Sequence, residues 1–259
     1  MPERNDRECN RPLVGRLYFY STSLPRVPKD CATVGFGDIE SSNIVGYTTG
    51  NTVNDLFTPM GACFFNVGED ALGVQKLAMD NAPDMGALEM WVVNKNLGTT
   101  SKAYWFLEYE DIPAGWFDED GEVAADFDLA KGQGVLLKTG DAGVTSSQAG
   151  EVGLVDVTDY PVNDLFTVFA NPYATNLPIS NISFKNAPDM GALQMWIVNK
   201  SLGTVKTAYW FLEFEDIPAG WFDEDGEVEV NHEIEPGCAV LLKTGDTGVT
   251  MDVASPVTK

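Results

Sequence analysis

Two identical pentapeptides, Asp118-Glu119-Asp120-Gly121-Glu122 and Asp223-Glu224-Asp225-Gly226-Glu227, set carboxylates at every second position. Asp118, Asp120 and Glu122, and likewise Asp223, Asp225 and Glu227, share the spacing with which calcium loops begin, because a hard cation collects several oxygen ligands from a short stretch of chain. The remainder of the loop departs from that pattern. Glycine stands fourth where the EF-hand needs it sixth, and Leu129 or Ile234 occupies the place of the bidentate glutamate. The same residues also make a good hairpin turn, with Gly121 or Gly226 free to take a positive φ. Calcium is the one cofactor the sequence raises, and nothing in it requires one.

Each half of the chain holds three tryptophans, Trp91, Trp105 and Trp116, repeated as Trp196, Trp210 and Trp221. Rings beside carboxylates suit carbohydrate, since sugar faces stack on aromatics while hydroxyls bond to Asp or Glu; rings are equally the material of any β core. Trp91 and Trp105 are expected in the core. Trp116 and Trp221, next to the turn, are the expected exposed rings, with Glu108 and Glu213 as acceptors for a ligand.

Catalytic chemistry has little to stand on. The single histidine, His232, aligns with Phe127 of the other half, so a Ser/His or Cys/His device exists in one copy at most. Glu108 and Glu110 are expected on the same side of one strand, whereas glycoside hydrolysis needs carboxylates that face each other across the substrate. Gly132-Gln133-Gly134 leads into a strand, so it is a turn and not a phosphate cradle. The expectation is a protein that is not an enzyme.

The elements that must hold these residues come in duplicate. Residues 81–123 match residues 186–228 at 36 of 43 positions without a gap, at an offset of 105. Val53 to Thr58 returns as Val162 to Thr167 at an offset of 109, so the first copy carries four extra residues between Thr58 and Asn81. Such self-similarity marks a duplicated unit. Leu88 to Val93, Tyr104 to Tyr109 and Val135 to Lys138 are aromatic or β-branched runs bounded by Gly, Asn, Asp or Pro, the signature of strands. One turn of helix is expected within Val74 to Met79. With turns every few residues and no sustained helical period, the chain is expected to be all-β: two tandem homologous β-sandwich or partly closed β-barrel modules packed against each other. They span residues 41–150 and 151–259, joined by only the short run Ser146 to Gly150, too short to let the modules roam.

Residues 1–40 differ in composition and read as an atypical, disordered segment, or as a start that the mature protein lacks. All five arginines lie there, and from residue 32 onward ten lysines face 35 carboxylates, a formal balance of about −25. A surface of that sign repels phosphate backbones and anionic headgroups, so neither nucleic acid nor membrane insertion is expected. Hydrophobic residues make up 44% of the chain, enough for a proper core. The cysteines Cys9, Cys31, Cys63 and Cys238 neither recur between copies nor take a metal spacing, and are expected as isolated thiols.

Asn43-Ile44-Val45-Gly46-Tyr47, the tryptophan strand at Trp91, the Gly115-Trp116-Phe117 hairpin and the Lys131-Gly132-Gln133-Gly134-Val135 strand together resemble modules of uncharacterised secreted or surface proteins of bacteria, often duplicated. The resemblance implies an extracellular or cell-surface location and carries no activity. The reading is a non-enzymatic structural or assembly protein of a bacterial surface or extracellular matrix, with self-association as its chemistry. The alternative is a carbohydrate-binding module with two equivalent aromatic and acidic sites, its partner a glycan.

Overall fold

The computed structural model describes residues 18–21, 44–83, 86–110, 112–188, 191–215 and 217–257. Within them the protein is all-β, with several antiparallel sheets, none of them closed. The first half contains β1 (Tyr18–Ser21), β2 (Ile44–Thr52), β3 (Phe57–Gly61), β4 (Phe64–Phe65), β5 (Ala71–Gly73), β6 (Ala78–Asp80), β7 (Leu88–Val93), β8 (Thr99–Phe106), β9 (Gly115–Phe117), β10 (Asp128–Ala130), β11 (Gly134–Lys138) and β12 (Thr145–Val152). The second contains β13 (Val157–Pro161), β14 (Phe166–Ala170), β15 (Leu177–Pro178), β16 (Ile182–Lys185), β17 (Leu193–Val198), β18 (Thr204–Phe211), β19 (Gly220–Phe222), β20 (Glu233–Ile234), β21 (Ala239–Lys243) and β22 (Thr250–Val253). The expected helical turn is the 3-10 turn Val74–Lys76, repeated at Ile179–Asn181.

The strand orders repeat with the sequence. One five-stranded sheet runs β3-β11-β7-β8-β9 and its counterpart β14-β21-β17-β18-β19. The remaining strands pair as β2-β12 with β4 and β6 also on β12, as β13-β22-β16, and as the two-stranded ribbons β5-β10 and β15-β20. β1 adds to the edge of β2, pairing Tyr18 with Tyr47 and Ser21 with Ile44. The rest of residues 1–40, with Cys9 and Cys31, lies outside the described residues. The run Ser146 to Gly150 is no spacer: it lies inside β12, so the connection to β13 is only residues 153–156.

Period-two alternation explains the interior. On β7, Leu88 and Met90 are buried while Glu89 and Trp91 point away, and on β8 Ala103 and Trp105 are buried between partly exposed neighbours. Leu88, Met90, Trp105, Trp116, Val135 and Leu137 belong to one apolar cluster, and Leu193, Met195, Trp210, Trp221, Val240 and Leu242 to another. Opposed Trp105 and Trp116 meet edge to face at 5.3 Å, as do Trp210 and Trp221 at 5.4 Å. Such pairs add to the stabilisation from burial alone.

β3 and β11 break the alternation because they are covered on both sides, one of which is the second repeat. Phe57 N donates to Lys200 O at 2.9 Å and Phe166 N to Lys95 O at 3.0 Å. Gly61 N donates to Gly237 O and Ala170 N to Gly132 O, both at 3.0 Å. Lys95 Nζ pairs with Asp164 at 2.8 Å, and Lys200 Nζ with Asp55 at 2.8 Å. The repeat offsets of 105 and 109 carry each member of these pairs onto the other. The contact between repeats is therefore isologous, the same patch used twice about a local half-turn.

Candidate functional site

The best conserved stretch between the two copies also builds the most exposed apolar surface. β8 stops at Phe106, and the chain hooks back on itself: Tyr109 N donates to Ile112 O at 3.1 Å and Ile112 N to Tyr109 O at 2.9 Å. Glu110 takes a left-handed φ of 53° to make the reversal, and Glu215 does so at 52°. The expected strand from Tyr104 to Tyr109 is therefore three residues too long. Leu107, Glu108 and Tyr109 leave the sheet, so the expected alignment of Glu108 and Glu110 on one strand face does not arise.

β9 then returns beside β8, pairing Phe106 with Gly115 and Tyr104 with Phe117. Phe106 and Phe117 pack edge to face at 5.9 Å, with Phe211 and Phe222 at the same 5.9 Å in the second copy. Gly121 closes against this floor: a Cβ there would lie 2.8 Å from the Phe106 ring, and its φ of 74° independently favours glycine. Between hook and turn opens a groove of about 410 Å³, lined by Phe106, Leu107, Glu108, Tyr109, Ile112 and Asp120 among others. Tyr109 is 70% exposed and Ile112 47%, against 69% for Phe214 and 49% for Ile217. Leu107 and Val123, with their counterparts Leu212 and Val228, are exposed as well. Among the described residues, the charged groups in the lining are the carboxylates of Glu108 and Asp120.

The tryptophans stand elsewhere than expected. Trp116 is 0% and Trp221 2% exposed, and Trp116 Nε1 donates to Leu77 O at 2.7 Å inside the core, so neither ring face can stack a ligand. The expectation fails because the strand partner of Trp116 is the buried Trp105, which pulls the ring inward despite the adjacent turn. Trp91 and Trp196, expected as core, are only partly buried. Trp91 packs against Phe57 and lies under the ammonium groups of Lys138 at 4.9 Å and Lys102 at 5.0 Å. Its Nε1 donates to Glu89, which also binds both lysines. Of the residues first proposed for a ligand, Glu108 and Glu213 are exposed, and Glu108 lines the groove. The aromatic beside it is Tyr109, which period-two alternation alone places in a strand. Its signal in the sequence is the Glu110-Asp111-Ile112-Pro113 run, whose proline ends the strand pattern.

The acidic turn is tied up in its own hairpin. Asp118 Oδ1 accepts from Glu122 N at 3.0 Å and Val123 N at 3.2 Å, and Asp223 repeats both bonds to Glu227 N and Val228 N. These bonds reach four and five residues on, so each carboxylate ties the start of the turn to its far side. Asp120 and Asp225 point to solvent at the turn, as do Glu122 and Glu227, and among the described residues no three acidic, His or Cys side chains converge as metal ligands. The arrangement gives the calcium expectation no ligand set.

His232, Cys63 and Cys238 do not line the groove. Burial, and then the nearby Lys206, lower the pKa of the partly buried His232. Cys63 is fully buried, and desolvation together with Cys238 pushes its thiol far above the ordinary range; Cys238 rises to about 11 for the same first reason. A thiol in that state is no nucleophile at neutral pH, because the thiolate is the reactive form. Comparison with protein-family models, curated proteins and solved structures finds no match to this chain.

Proposed function

We propose that the protein is a non-enzymatic structural or assembly protein, built as two tandem β-sandwich modules, that docks partner protein at two equivalent grooves. The supporting observation is the equal exposure of the Tyr109–Ile112 and Phe214–Ile217 hooks, apolar side chains held in water at matching places in both copies. Leaving large apolar groups exposed costs about 1.5–3 kcal/mol each relative to burying them. A contiguous patch of them on a folded protein marks a contact surface. Two such patches on one chain make a bridge between partners, as an assembly component needs. An extracellular setting suits this reading.

Peptide display against the full chain tests it. Enriched peptides bind twice per chain in titration calorimetry, and Tyr109→Ser and Phe214→Ser each remove one site. Failure to enrich any sequence, or binding that survives both substitutions, overturns the reading. The exposed ring of Tyr109 beside Glu108 and Asp120 also favours a carbohydrate reading, with Tyr109 in the role first given to Trp116. Glycan-array hits abolished by Tyr109→Ser would move the function to sugar binding.

A further inference from the structure

Resting on that docking reading, we infer that the occupant of each groove is a basic, aliphatic segment of another protein, its Lys or Arg heads on Glu108 and Asp120 and its apolar side chains on Tyr109 and Ile112.

Three observations converge on this chemistry. Among the described residues, the side chains of the lining are apolar apart from the Tyr109 hydroxyl and two carboxylates, and none of them is a cation. The exposed Glu110, Glu119 and Glu122 surround it, on a chain whose formal charge is −23. A groove of about 410 Å³ falls within the roughly 300–1,000 Å³ of ligand pockets, enough for side chains of a segment but not for a folded edge. Anionic occupants meet like charge here, which costs affinity and slows encounter. The body of a second copy, with ten lysines against 35 carboxylates from residue 32 onward, would bring carboxylates to carboxylates. A wholly neutral segment covers the rings but leaves Glu108 and Asp120 to be desolvated without a partner, which burial penalises. Lys and Arg satisfy both demands, because their methylene stems lie along apolar surface while the head reaches a carboxylate.

The difference between the copies agrees. At the equivalent positions of the second copy Tyr109 is replaced by Phe214, while Glu108 and Asp120 return as Glu213 and Asp225. What both copies retain at these positions is an aromatic ring and the carboxylate pair. The protein already uses cations over rings internally, with Lys243 at 4.9 Å from the Trp196 centroid.

The test uses the full chain and three labelled peptides of one aliphatic framework, Leu and Ile interleaved with Lys and Arg, with Gln and Ser, or with Glu. The basic peptide is expected to bind at two sites, about tenfold or more tighter than the neutral one, and to weaken as salt rises. Glu108→Gln with Asp120→Asn, and the same changes at Glu213 and Asp225, abolish that preference by weakening the basic peptide, while the neutral peptide's affinity rises as the desolvation penalty disappears. Neutralising Asp141 and Asp246, exposed in turns outside the grooves, leaves binding unchanged. Equal binding of basic and neutral peptides overturns the inference and leaves the docking reading standing. An equal loss from Asp141→Asn with Asp246→Asn also overturns it, since attraction would then come from net charge alone. If no peptide binds, or if Tyr109→Ser and Phe214→Ser leave binding intact, the docking reading itself falls.

Discussion

Glu89 and Gln194 occupy the same place in the two copies and solve one problem in two ways. Each accepts from the indole of the tryptophan two residues on, Glu89 at 2.7 Å from Trp91 and Gln194 at 2.9 Å from Trp196. Glu89 alone also binds Lys138 at 3.0 Å and Lys102 at 3.3 Å. Burial pushes its carboxyl up, but the hydrogen bonds from Trp91, Lys138 and Lys102 outweigh that, and its pKa lies below the ordinary value. A carboxyl so lowered stabilises the fold fully above its unfolded pKa of about 4.3, and that contribution disappears as pH falls through the folded value. Glu89→Gln, copying the second repeat, is expected to flatten the stability of the chain between neutral pH and acid, with chemical denaturation at a series of pH values as the measurement. An unchanged slope would show that the network does not titrate with folding.

The indole nitrogens of Trp116 and Trp221 differ in their partners. Trp116 Nε1 has Leu77 O as acceptor, whereas Trp221 Nε1 is buried without a protein acceptor among the described residues. Removing one partner of a buried hydrogen bond strands the other at about 1–3 kcal/mol. Trp116→Phe is therefore expected to lower unfolding free energy by about that much more than Trp221→Phe, since both lose the same ring volume. Equal losses in urea titrations would refute the assignment.

At the scale of strands, β3 and β14 cross where the repeats meet, and residues near the crossing face their own equivalents. Gly61 corresponds to Ala170, and a Cβ on Gly61 would lie 2.5 Å from the Ala170 Cβ and 2.5 Å from Gln133 O. Two β-carbons cannot share that space, so one copy needs glycine. Gly134, whose counterpart is Ala239, likewise has its missing Cβ against Val168. Gly61→Ala is expected to cost about 1–3 kcal/mol by overpacking, read from the denaturation midpoint.

Strands and turns whose pattern is local were legible in the sequence. Leu88 to Val93, the Asp118–Gly121 turn and the strand into Lys138 stand where alternation and glycine placement put them. The groove was not legible, because Leu107 and Tyr109 continue the alternation of β8 after the hydrogen bonds have turned elsewhere. Nor was the burial of Trp116, which depends on its partner across the strand pair and not on its neighbours in sequence. Apolar residues in a hook look the same on paper as those in a core; only the absence of a covering layer distinguishes them.

For the molecule as a whole, the acidic surface and the two hooks set opposing tendencies. The charge keeps copies apart, while the hooks offer about the same area of ring and aliphatic carbon twice. An assembly built on this chain is therefore expected to depend on a partner that supplies cations.

The reciprocal pairs Lys95 with Asp164 and Lys200 with Asp55 carry a kinetic corollary. A half-turn contact accepts its complement from any chain, and what keeps the pairing within one chain is the high local concentration enforced by the four-residue connection, millimolar for short tethers. Deleting Leu154 to Asp156 leaves β12 and β13 too close for their repeats to fold back on each other. The expected product is an exchanged dimer in which each half docks with the opposite half of its neighbour, seen as a doubled mass in light scattering and carrying four hooks instead of two.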